Sequence, residues 1–240
     1  MIYLYALCET DFFPFPKIFG LEDAIVRSVP LGDVTLAVSD TTSTPAYELS
    51  SLCQHEAVVE RLSATRPILP FRFGTAVSDL ERLAGAIRSR LTAILANLDR
   101  VTGCVELGLS AVPSTHLHHG AADVHPPQSS QPGQAYLEKL RRAEARRAAE
   151  ARKLRTRVEG LNVRLQKLSR CSHVIRSEQP ELPLRFAYLV PWNAMPAFRS
   201  EVKAAQSEAG MPALLASGPW PPYSFVKSGL LEFETGGSRQ

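Results

Sequence analysis

The 240-residue sequence has no apolar run approaching the roughly eighteen residues that a membrane-spanning helix needs, which excludes such a helix. Its four cysteines, Cys8, Cys53, Cys104 and Cys171, form no C-x-x-C pair, so neither a disulfide framework nor a cysteine zinc site is indicated and free thiols are expected. Met1 to Cys8 lacks a basic flank and a small-residue cleavage site and runs straight into Glu9 and Asp11. It does not read as a secretory signal, and a cytoplasmic protein is expected. There is no G-x-x-x-x-G-K-[ST] loop, no G-x-G-x-x-G after a strand and no G-x-S-x-G elbow. No catalytic residue, cofactor or metal is therefore assigned.

Positive charge, by contrast, is concentrated in one place. Gly133 to Arg170 holds 12 of the 27 Lys+Arg but only 4 of the 24 Asp+Glu, a net +8 against +3 for the whole chain, so the remainder carries −5. Helix formers dominate and Pro is absent there, which predicts one long basic helix with Gly160 as its weak point. Leu154, Val158, Leu161, Leu165 and Leu168 step by four, three, four and three, the seam of a coiled-coil-like helix. Upstream the register meets Leu137 and Leu140, then Glu144, Arg147 and Ala151, and the seam breaks. Such a helix would be roughly 57 Å long, more than a small core can cover.

Before it, the pattern reads as a compact α+β unit. Ile2–Leu7 is a strand apolar on both alternating faces, hence central. Val34–Ser39 is a second strand, and a helix from about Tyr47 to Ala64 offers Leu49, Leu52, Cys53, Val59 and Leu62 for burial. Ile68–Phe73 is a third strand, weakened at Pro70. Ser78 and Glu81 form a capping box for a helix striped by Leu80, Leu83, Ile87, Leu91, Ile94 and Leu98, and Val101–Val112 is a fourth strand. The order suggests a ferredoxin-like sheet with helices on one face over 1–112. Residues 113–132, rich in His, Pro and Gln, form a flexible linker. Residues 133–234 make a C-terminal α+β domain with the long helix, the strand Leu184–Val190, a helix capped by Asn193 that buries Phe198, Val202 and Ala205, and a short strand Ala213–Ala216; 235–240 is a disordered tail.

Three features could carry chemistry. His55-Glu56 opens like a zinc-protease motif, but position 59 is Val where the second His is required, so it reads as a polar pair on an ordinary helix. His116, His118, His119 and His125, with Asp123, could attract a transition metal but lie in the linker, without rigid support. An RNA-binding module would use the Arg-rich helix with Tyr3, Tyr5, Phe71 and Phe73 as stacking rings; Pro70–Thr75 does not match the RNA-recognition pattern, and nucleic acid is not expected.

Seven stretches in order carry a resemblance. They are Tyr3-Leu4-Tyr5-Ala6, His55-Glu56-Ala57-Val58-Val59, Ile68 to Thr75, Val105-Glu106-Leu107-Gly108, Gly133 to Leu137, Ala187-Tyr188-Leu189-Val190-Pro191, and Gly218-Pro219-Trp220-Pro221-Pro222-Tyr223-Ser224-Phe225. Together, from Ile2 to Val226, they resemble the gas vesicle accessory proteins of the F and L type. The resemblance implies a modified ferredoxin-like N-terminal domain and a C-terminal α+β domain. It also implies a non-enzymatic assembly factor or minor shell component, cytoplasmic during assembly and then at the gas vesicle. The expected partner is the small hydrophobic major shell protein, with other accessory proteins as further partners. Contact is expected at Trp220, Tyr223 and Phe225, with steering charge from Arg141, Arg142, Arg146 and Arg147.

Overall fold

The computed structural model describes residues 1–10, 17–112, 133–175 and 184–233. The linker with its His cluster and the tail lie outside the described residues, as do the side chains of Arg146 and Arg147. The fold is mixed α/β, and the chain divides into two compact units: Met1–Glu106 together with the segment from Gly218 onward, and Leu107–Ser217. The return of that last segment to the first unit differs from the expectation of a continuous 133–234 domain.

In the first unit, strand β1 (Ile2–Glu9) is central. It pairs antiparallel with β3 (Val34–Asp40) on one side and with β4 (Leu69–Pro70) and β5 (Ala76–Val77) on the other; β2 (Arg27–Pro30) adds to β3 at the edge. Both faces of β1 are buried, as its unbroken apolar run requires. The register slips between Leu4 and Ala6, so Tyr5 is the extra residue of a bulge. A bulge resets the alternation of side chains, and Tyr3, Tyr5, Ala6 and Cys8 consequently share one core with Val58, Val59 and Leu62 of helix α1 (Leu49–Ser63).

Several expectations need correction here. On α1, Leu49 and Cys53 are exposed while His55 is fully buried. The third strand is only β4, because Pro70 cannot donate and the chain turns through Gly74 at φ +83° before β5. The long second helix is two, α2 (Leu80–Ser89) and α3 (Leu91–Val101), broken at Arg90. Asp79, not Ser78, caps α2: its Oδ1 accepts the Arg82 N–H at 2.9 Å.

The second unit is built on a four-stranded sheet in the order β7 (Cys171–Ile175), β8 (Leu184–Pro191), β6 (Cys104–Val112), β9 (Ala213–Trp220). Helix α4 (Gly133–Gln166) runs 34 residues, about 51 Å. It passes unbroken through Gly160 and buries Val158, Leu161 and Leu165 of its seam. Helix α5 (Met195–Gln206) packs on it and buries the expected Phe198, Val202 and Ala205. Its N-cap is Ala194 rather than Asn193, because a 3₁₀ turn, Trp192–Ala194, leads in. Tyr188 meets Phe198 edge-on at 5.1 Å and donates its O–H to Asn162 Oδ1 at 2.8 Å, linking sheet to helix. Among the described residues no helix is long and apolar enough to cross a membrane.

Candidate functional site

Wholly within the first unit, residues from four of the stretches quoted above meet around one buried histidine. The bulge in β1 turns Tyr3 and Tyr5 toward α1, and His55 projects between them. The imidazole stacks on Tyr5 at 5.6 Å and meets Tyr3 and Phe73 edge-on at 5.6 and 5.8 Å. Tyr3 Oη lies 2.9 Å from Nδ1, and Tyr223 Oη lies 3.2 Å from Nε2.

Tyr223 also shares a hydrogen bond with the Glu56 carboxyl, and the Tyr3 oxygen takes the Gly74 N–H at 2.9 Å. One connected network thus runs from Gly74 through Tyr3, His55 and Tyr223 to Glu56. Burial pulls His55 down to about 4, with the Phe71 carbonyl only partly opposing it, so the ring is neutral near pH 7. Burial likewise raises Tyr3, Tyr5, Tyr223 and Glu56.

Around this network the segment from Pro221 to Phe233 is strapped down. Glu106, raised by burial, accepts the Ser224 N–H at 2.8 Å and its O–H at 2.5 Å. Asn97 donates to the Phe225 carbonyl at 3.1 Å and accepts the Lys227 N–H at 2.9 Å; Arg100 also donates to the Phe225 carbonyl. Arg90, at the break between α2 and α3, donates to the carbonyls of Gly229, Leu230 and Glu232 at 2.7 to 3.2 Å and lies over the Phe233 ring at 5.3 Å. Buried polar groups satisfied this fully fix a unique arrangement, since any slip leaves a donor or acceptor unpaired.

The expected contact residues are thereby separated. Phe225 is buried and Tyr223 is spent on His55, so both serve the fold; Trp220 remains 45% exposed at the end of β9. Arg141 and Arg142 are exposed on α4. Tyr3, Tyr5 and Phe71 have essentially no exposed surface, which removes them as stacking rings for bases. Among the described residues no group of His, Cys, Asp or Glu could hold a metal. The residues that sequence reasoning missed are Asn97, Arg90 and Arg100, while Glu106 stood in a quoted stretch without a role. Only the polar Asn97 and Glu106, each set in an otherwise apolar stripe or strand, gave a signal.

The arrangement is a buried polar strap that ties residues 221–233 to the core of the first unit. The profile of the gas vesicle synthesis protein GvpL/GvpF family matches residues 1–227, and the chain belongs to that family. Its fold is similar to the crystal structure of the gas vesicle protein GvpF from Anabaena sp. PCC7120, at TM-score 0.74 and 17% identity over 94% of this chain and 95% of that one. It is similar also to gas vesicle protein GvpF from Microcystis aeruginosa, at TM-score 0.71 and 18% identity over 93% and 98%. A search of curated protein sequences returned no match.

Proposed function

We propose that this chain acts in gas vesicle formation as an assembly factor or minor shell component that binds the small hydrophobic major shell protein. The observation that carries the reading is the family match across residues 1–227, which takes in residues of both units and the first half of the strapped segment. A small shell protein with an apolar gas-facing surface needs that surface covered before assembly. Trp220, exposed just ahead of the buried Pro221 and Pro222, supplies stiffly held apolar area for this contact. Separately, the charge of α4, including Arg141, Arg142, Arg146 and Arg147, speeds encounter with partners, other accessory proteins among them. The finer fold reading, a modified ferredoxin-like first unit and a coiled-coil-forming α4, belongs to the same proposal, as does residence at the gas vesicle after cytoplasmic assembly. No catalytic step is assigned.

The test is capture of the purified shell protein at low and high salt, with an RNA competitor, by the wild type and by Trp220→Ala. Salt-resistant capture that weakens in the variant supports the reading. Undiminished capture by Trp220→Ala removes the site, and salt-sensitive capture of RNA alone replaces the function with nucleic-acid binding.

A further inference from the structure

Within the second unit the two ends of α4 treat their cations differently. Toward its C-terminus, Arg157 donates to the Gly210 carbonyl at 2.6 Å, and Arg164 bridges Glu201 and Glu208, each at 2.6 Å. These charges are answered by the protein's own chain. Arg152, Lys153 and Arg155 are exposed and have no anionic partner among the described residues. Upstream, Arg141, Ala145 and Ala149 are exposed too, as is Arg142, which already has a contact within the chain.

Helical register gives these residues an order. At about 100° per residue, Ala145, Ala149 and Thr156 line the middle of one face, with Arg141 and Arg152 along one flank and Arg142 and Lys153 along the other. That face points away from Val158, Leu161 and Leu165, the residues α4 buries. The flanking cations repeat every eleven residues, about 17 Å, which is three turns of helix. Moreover α5, at 12 residues against 34, is too short to cover the whole of α4.

We infer that this face of α4, from Arg141 to Thr156, docks an acidic amphipathic helix of a protein partner. Two rows of cations beside a line of short side chains match a helix with carboxylates on both flanks of a narrow seam, because the short side chains let the backbones approach while each row meets its counter-charges. Charge complementarity selects the acidic partner. A single-stranded nucleic acid would instead call for stacking surfaces, and no aromatic residue occurs between Tyr136 and Phe186. The inference goes beyond the shell contact and does not rest on it.

The experiment measures binding of the full chain to a synthetic amphipathic helix carrying Leu and Ala at its seam and Glu on both flanks, by fluorescence anisotropy. A peptide of the same composition interrupted by prolines and an RNA duplex serve as competitors. The wild type is expected to bind the helical peptide, more weakly as salt rises, and the proline-broken peptide to compete poorly. Arg141→Glu/Arg142→Glu/Arg152→Glu/Lys153→Glu is expected to bind about tenfold more weakly or worse. The milder Arg152→Gln/Lys153→Gln should show a smaller loss with an unchanged thermal transition, keeping the test open if the fourfold variant unfolds. Equal binding by the variants, equal competition by the broken peptide, or a preference for RNA would each overturn the assignment. Shell-protein capture should be unaffected by Arg152→Gln/Lys153→Gln, which separates this result from the function proposed above.

Discussion

The hydroxyl of Tyr223 lies 3.2 Å from Nε2 of His55, although 168 positions separate the two residues in the chain. Tyr223→Phe keeps the ring and removes the oxygen, leaving Glu56 without this hydrogen bond and weakening the satisfaction of a buried imidazole. The expected loss is about 1–3 kcal/mol. It should appear as a lower urea midpoint with an unchanged slope, since the surface exposed on unfolding is the same.

Acidification should act through His55. Its folded value of about 4 lies below the 6.5 of the free side chain, so between those values the unfolded chain binds a proton that the folded one refuses. The contribution is fully present above about pH 6.5 and disappears as pH falls toward 4, by up to about 3 kcal/mol. The groups facing the ring are Tyr3, Tyr5 and Tyr223, with Glu56 beyond Tyr223. Glu56 and Glu106 act in the opposite sense: burial raises both carboxyls, so their contribution is full at low pH and falls as pH rises through the folded values, partly offsetting the His55 loss. Melting temperature from pH 7 to pH 4 should therefore drop steeply in the wild type. In His55→Gln the start is lower and the slope flatter, and an equally steep slope would locate the effect elsewhere.

Asn97→Ala removes both bonds that this buried side chain makes, to the Phe225 carbonyl and from the Lys227 N–H. A loss of about 2–3 kcal/mol is expected. Arg90→Lys should be less severe than Arg90→Ala but not neutral: the three carbonyls all meet the one Nη1, a point an ammonium can partly replace, whereas the planar guanidinium over the Phe233 ring is lost. In both variants, limited proteolysis should begin near residues 221–233 before the rest of the first unit is cut.

At Gly20 an added Cβ would run into the hydroxyl of Tyr5, which accepts the Leu21 N–H at 2.9 Å and pairs with Ser39 at 2.9 Å. Gly20→Ala should cost about 1–3 kcal/mol. Combined with Tyr5→Phe, which removes the clashing atom, the two losses should sum to less than their separate values in a double-mutant cycle of chemical melts.

The central strands and the buried side of α5 were legible because their patterns are local: an unbroken apolar run for β1 and β8, and a helical stripe through Phe198, Val202 and Ala205. The edge strands β2 and β7 were not. Arg27–Pro30 and Cys171–Ile175 are half exposed, and so show no alternation to read. The buried face of α1 misled for another reason: periodicity favours Leu49 and Cys53 over a histidine, and only partners from β1 and the far end of the chain make His55 a core residue. Likewise the break at Arg90 has no Gly or Pro to mark it, and Arg90 is tied there by carbonyls some 140 positions away. The family motifs flagged most members of the strap without indicating that they touch.

Because the stretch that closes over His55 is made after the whole second unit, the order of synthesis sets a delay. Residues 1–106 leave the ribosome with partners for Tyr3 and Tyr5 already among them, but with Nε2 of His55 still lacking the Tyr223 hydroxyl. At ordinary rates of translation, on the order of ten seconds passes before Tyr223 follows. Throughout that interval Glu106, Asn97 and the His55 imidazole are without the groups that satisfy them in the finished fold, and the stretch around Tyr223 is what completes them.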